Sequence, residues 1–111
     1  MIDATKGAYT LDQYQNAAMS FRLESATALY AVLLLASEAG EVTGKYGKAI
    51  RDGAPVTFQQ DIKKELGDVL WAIAAIAIDN GFTLEDVALT NILKLSSRKT
   101  NGTLQGSGDD R

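Results

Sequence analysis

Residues 58–79 read F-Q-Q-D-I-K-K-E-L-G-D-V-L-W-A-I-A-A-I-A-I-D and run into Asn80-Gly81. Apolar residues recur here at helical spacing, and the Asn-Gly pair is the left-handed stop that ends helices. Thr57 with Gln60 reads as a capping box at the other end. The second half, Val69 to Ile78, is apolar almost all the way round, so this helix must be covered on every side.

Working outward, Ala28 to Ala36 has the same all-round apolar character. It belongs to a helix predicted from Ser25–Ala28, through Leu29, Val32, Leu33, Ala36 and Val42, to about Ile50, before the loop Asp52-Gly53-Ala54-Pro55. Gly40, Gly44 and Gly47 weaken it locally. Thr10 with Gln13 forms a capping box for a first helix through Tyr14, Ala17, Ala18 and Phe21, ending near Glu24. Thr83 caps a fourth, with Glu85 and Asp86 in its first turn and an end near Thr100. The reading is all-α: one helical domain over 1–102 and a Gly-rich tail or lid over 103–111. Four helices of this length cannot fully cover two all-round apolar segments, which implies an oligomer interface.

Composition narrows the chemistry. The 111 residues contain no cysteine and no histidine. Disulfides, zinc ribbons, thiol nucleophiles and Ser-His-Asp triads are therefore excluded, and any metal site must be built from oxygen. Mg²⁺ or Mn²⁺ suits such ligands. A net charge of −3, without a basic run, argues against a duplex nucleic-acid partner. The N-terminus, with Asp3 and Lys6 before Thr10, lacks a signal-peptide core, and no apolar run is long enough for a bilayer. No membrane partner is expected, and the expected location is cytoplasmic.

Glu38 and Glu41 lie three residues apart, as do Glu65 and Asp68. Each pair projects from one helix face, beside apolar neighbours, at a spacing where like charges repel. Two readings follow from spacing alone. The acids form ordinary salt bridges with Lys45, Lys48, Lys63 and Lys64, or two adjacent helices pool their carboxylates around one or two divalent cations. On the predicted fourth helix Asn91, Lys94 and Arg98 share a narrow strip. That strip is either a snorkelling surface or a complement to phosphate.

The segments L-A-S-E-A-G-E-V and K-E-L-G-D-V-L-W, with their separation, resemble the Glu-x-x-Glu and Glu-x-x-Asp signature of the all-α nucleotide pyrophosphatases of the MazG type. This superfamily also includes dimeric dUTPases and phosphoribosyl-ATP pyrophosphatases. The likeness continues through G-F-T-L-E-D-V and N-I-L-K-L-S-S-R to G-S-G-D-D-R, and its tail is most similar to phage and bacterial members. The resemblance implies a four-helix MazG-like bundle assembled as a homodimer or a dimer of dimers, a homotetramer. It also implies Mg²⁺-dependent hydrolysis of a nucleoside triphosphate to monophosphate and pyrophosphate, with Mn²⁺ able to substitute. Glu38, Glu41, Glu65 and Asp68 then correspond to metal ligands, and Asn91, Lys94 and Arg98 to phosphate contacts. The location becomes bacterial, or host, cytoplasm.

Many members carry a further Glu before the first motif acid, where this chain has Ser37, so the general base stays unassigned. Lys45 and Lys48 either reach phosphate or neutralise the acids. Trp71, Tyr14 and Tyr30 are candidates to stack on a base, although Trp71 also fits a core or interface position. Asp109, Asp110 and Arg111 end a segment resembling a family lid. A purine deoxynucleotide such as dGTP is the expected substrate. The alternatives are dUTP or phosphoribosyl-ATP hydrolysis, or a non-catalytic nucleotide-sensing scaffold that kept the helices and lost turnover.

Overall fold

The computed structural model describes residues 9–109. Asp3 and Lys6, like Asp110 and Arg111, lie outside the described residues. Among those described, the chain forms four α-helices and no strand: α1 (Leu11–Met19), α2 (Ala28–Asp52), α3 (Phe58–Asp79) and α4 (Leu84–Asn101). No single helix there is long and apolar enough to cross a membrane.

Local chemistry sets most of the helix ends. At α1, Thr10 Oγ1 accepts from the Gln13 amide at 3.1 Å and Gln13 Oε1 accepts from the Thr10 amide at 2.8 Å, completing the reciprocal box. Thr83 Oγ1 accepts from the Asp86 amide at 3.1 Å to start α4. At the end of α3, Gly81 adopts φ +81°. The Phe82 amide then returns to the Ala77 carbonyl at 2.8 Å and the Gly81 amide to Ile78 at 3.0 Å, a Schellman closure.

Two expectations are corrected. Helix α1 ends at Met19 rather than near Glu24, because the amides of Ser20, Phe21 and Arg22 bond three residues back and tighten the last turn. Arg22 is then committed elsewhere: Nε donates to the Ala26 carbonyl at 2.8 Å, and the guanidinium fork grips Asp79 at 2.8 and 2.9 Å. Nor does Thr57 cap α3. Its backbone, at φ −86° and ψ 1°, is already turned, and its hydroxyl donates to Asp61 Oδ2 at 2.9 Å instead.

Helices α2 and α3 form an antiparallel hairpin. Tyr46 meets Phe58 edge-on near the loop, with ring centroids 5.1 Å apart. Glu38 meets Glu65 and Asp68 midway, and Leu35 lies beside Ile73 and Ile76 toward the open end. Helix α1 packs on α3. Helix α4 turns through 98° from α3 and touches α1 and α3, but not α2.

The buried core consists of Ala18, Ala31, Ala72, Ala74, Ala75, Ala77 and Leu84. Small side chains allow the helices to approach closely, and a buried glutamine fastens them. Gln15 Nε2 donates to the Ala74 and Phe82 carbonyls at 3.2 and 3.3 Å, while its Oε1 accepts from the Leu84 amide at 3.1 Å. One side chain thus ties α1 to both sides of the α3–α4 corner. Gln15→Ala should cost about 1–3 kcal/mol, since it strands a buried amide. Chemical denaturation should show this as a lower midpoint, and an unchanged midpoint would show that the clasp is idle.

This core is too small for the chain. Among the described residues no large side chain is fully buried, while Leu29, Leu33, Ile92 and Leu93 are 60–70% exposed. The accessible surface is 8248 Å². A folded monomer of this mass would show about 5,900 Å².

Candidate metal centre

The hairpin places three acids together. Glu38 on α2 and Glu65 and Asp68 on α3 each offer a carboxylate oxygen, and these oxygens lie within 4.8 Å of one another. Glu38 and Glu65 are half-buried and Asp68 is exposed. Glu65 and Asp68 share a face because they are three residues apart, and Glu38 meets them because the helices run antiparallel. Glu41, one turn further along α2, is exposed and stands outside this group of three.

Like charges at such range oppose ionisation. Burial, followed by the charges of Asp68, Glu65 and Glu41, pushes the Glu38 carboxyl above its ordinary value. Tyr14 on α1 is also pushed up, by burial first and by the Asp68 charge second.

Among the described residues the ion pairs are Arg22–Asp79, Arg51–Asp52 and those of Lys94 and Arg98 with Asp109. None involves Glu38, Glu41, Glu65 or Asp68. The salt-bridge reading of these acids with lysine therefore has no support in the structure. Three convergent, mutually repelling oxygens with no ion-pair partner among the described residues are a donor set suited to a hard divalent cation.

The other sequence-derived candidates lie elsewhere. Lys45 and Lys48 line a cavity of ≈ 290 Å³ with Asp52, Pro55, Phe58 and Asp61 at the loop end of the hairpin. They are two and three turns from Glu38 along α2, about 10 and 15 Å. On α4, Asn91 is exposed, Lys94 is half-buried and Arg98 is buried. Asp68 lies about 16 Å before the end of α3 and Lys94 about 15 Å into α4. With the two axes at 98°, the backbone positions of Asp68 and Lys94 stand on the order of 20 Å apart along the helix axes.

Trp71 and Tyr30 line one cavity of ≈ 370 Å³ with Phe21, Leu23, Ser25, Ala26 and Leu34. Two of its lining residues share helix faces with the acids, Leu34 one turn from Glu38 and Trp71 one turn from Asp68. The Trp71 indole also donates to the Ala18 carbonyl at 3.0 Å, so one edge of the ring is structural. Tyr14 packs instead against the core formed by Ala74, Ala77 and Leu84. Phe21 and Leu34 were missed in the sequence because an isolated apolar residue carries no sign of which cavity it will line.

A chain whose described residues fold into helices, and which gathers Glu38 of a Glu-x-x-Glu segment with Glu65 and Asp68 of a Glu-x-x-Asp segment on one antiparallel hairpin, is of the helical carboxylate-site class. The match is specific: the model of the MazG nucleotide pyrophosphohydrolase domain covers residues 26–103, and the chain belongs to that family. It is also 42% identical over 85 residues to the "Gene 37 protein" of Mycobacterium phage L5, covering 74% of this chain and 75% of the relative. This supports a phage-type MazG-like protein. No solved structure matches the chain.

Proposed function

We propose that this chain hydrolyses a nucleoside triphosphate to the monophosphate and pyrophosphate in a Mg²⁺-dependent reaction. The observation that supports this most is the convergence of Glu38, Glu65 and Asp68 in a chain of this family. These three residues would hold the cation, and Glu41, one turn away, would join them from the same face of α2. When bound, the cation supplies Lewis-acid charge that makes water a better nucleophile and phosphorus a better electrophile. Mn²⁺ satisfies the same oxygen ligands.

Lys94 and Arg98 are assigned to the phosphates, with Asn91 beside them, as complements to the charge of the departing pyrophosphate. Since α4 holds them far from the acids of its own chain, we assign them to the site of a second copy. The catalytic unit is then a homodimer, or a homotetramer built from it. Lys45 and Lys48 line a separate cavity, which favours a supporting electrostatic role over direct phosphate contact. Ser37 leaves the base among the acids of the triad or bulk water. Attack falls on the α phosphorus without a covalent enzyme intermediate. With ¹⁸O-labelled water the label should enter the monophosphate, and label in pyrophosphate would overturn this assignment.

The cavity of Tyr30, Phe21 and Trp71 is assigned to the base. Its ≈ 370 Å³ lies at the lower end of small-molecule sites, about 300–1,000 Å³. Its aromatic lining suits a flat ring, and a purine deoxynucleotide such as dGTP is the substrate we favour. Tyr30→Ala should raise KM about 5- to 30-fold, in line with about 1–2 kcal/mol of lost stacking, and change kcat little. Steady-state kinetics would decide, because an equal fall in kcat would place Tyr30 in the chemistry instead.

A further inference from the structure

After α4 the chain folds back onto the cations of its own helix. Gly102, Gly106 and Gly108 have φ of +69°, +120° and +89°, conformations that glycine enters freely and other residues rarely adopt. This reversal lays Asp109 against α4, where its Oδ1 accepts from Lys94 Nζ at 3.2 Å and from Arg98 Nη2 at 3.4 Å. The same Arg98 nitrogen donates to the Gly108 and Asp109 carbonyls at 3.3 and 3.1 Å. Arg98 is left 7% exposed, and its Nε is buried with no hydrogen-bond partner.

This contact uses the guanidinium incompletely. Three tail oxygens crowd one nitrogen, whereas an oxyanion of fork geometry would take Nε and Nη2 together. Asp109 brings one negative charge to two cations, and a polyphosphate brings several.

We infer that the tail is a built-in anionic plug: Asp109 holds Lys94 and Arg98 until a polyphosphate displaces it from both. The inference rests on the assignment of those two cations to the phosphates. It differs from a lid, because the tail must leave rather than close when the anion arrives.

The test uses the full-length chain and inorganic tripolyphosphate, followed by calorimetry and by hydrogen exchange over residues 103–109. Asp109→Asn should bind the probe about two- to fivefold more tightly, the range an exposed ion pair supports. In the wild-type chain, exchange over 103–109 should speed up when the probe is added. Weaker binding by Asp109→Asn, or slower exchange with the probe, would overturn the plug and make the tail part of the anion site. Lys94→Ala separates the remaining cases. If it weakens binding while Asp109→Asn does not alter it, the plug alone fails. If neither variant alters binding, the phosphate assignment fails and the plug with it.

Discussion

Glu38→Gln is expected to abolish pyrophosphate release while making the metal-free protein more stable at neutral pH. The loss of turnover should be on the order of 10²–10³-fold or greater, typical of removing one group that positions or stabilises charge in a site. The gain in stability follows from the direction in which Glu38 is perturbed. Burial and three neighbouring carboxylates hold its carboxyl above the ordinary value, so the fold prefers the protonated form. That preference stabilises the chain fully below the ordinary Glu range and is lost as pH rises through the raised value.

At neutral pH the metal-free fold therefore carries a like-charge cost that an amide would remove. After solvent screening this is about 1 kcal/mol or less, so the variant should melt up to a few degrees higher. Mg²⁺ should reverse the order, raising the melting temperature of the wild-type chain and leaving the variant nearly unmoved. Thermal melts at pH 4 and pH 7, with and without the metal, give all four comparisons. A wild-type chain that melts above the variant at pH 7 without metal would show that the acids do not repel one another.

The second large effect concerns the uncovered apolar faces. If the chain assembles as proposed, Leu33→Glu should convert the oligomer into monomer and lower the melting temperature by about 10 °C or more. A surface of 8248 Å² with an alanine core leaves one copy short of the burial that small domains need. Leu29, Val32 and Leu33 on α2 and Leu89, Ile92 and Leu93 on α4 are all exposed. A charge placed at Leu33 would have to lose its water wherever that face is covered. Light scattering gives the mass, and the wild-type melting temperature should rise with protein concentration as it does for linked folding and association. A wild-type chain that is monomeric and equally stable at all concentrations would contradict the assignment of α4 to a neighbouring site.

Much of this fold could be read from local signals. The Thr10–Gln13 box, the Thr83 cap and the Asn80-Gly81 stop are short-range chemistry, and all three form as the residues suggest. Thr57 failed as a cap because the preceding turn, not its own side chain, sets its backbone. The end of α1 was obscured by Phe21, which continues the apolar period although Arg22 is drawn away to Asp79.

The acids were legible as two pairs, since spacing along a helix determines which residues share a face. That three of them converge while Glu41 stands aside depends on the relative rotation of α2 and α3, which no single helix encodes. Gln15 was invisible for a similar reason: a polar residue on a short amphipathic helix normally faces water, and only the α3–α4 corner gives it partners. The tie between Arg98 and Asp109 depends on three glycines turning the tail back, which the residues permit without specifying where it lands.

The central claim is the reaction, and separate detection of pyrophosphate and orthophosphate across a panel of ribo- and deoxynucleoside triphosphates with Mg²⁺ tests it most directly. The account predicts monophosphate and pyrophosphate in equal amounts from at least one nucleotide, highest for a deoxypurine such as dGTP, and none from Asp68→Asn. dUTP as the best substrate would move the chain toward the dUTPase reading. Orthophosphate as the product, or nucleotide binding and thermal stabilisation without turnover of any nucleotide, would contradict it.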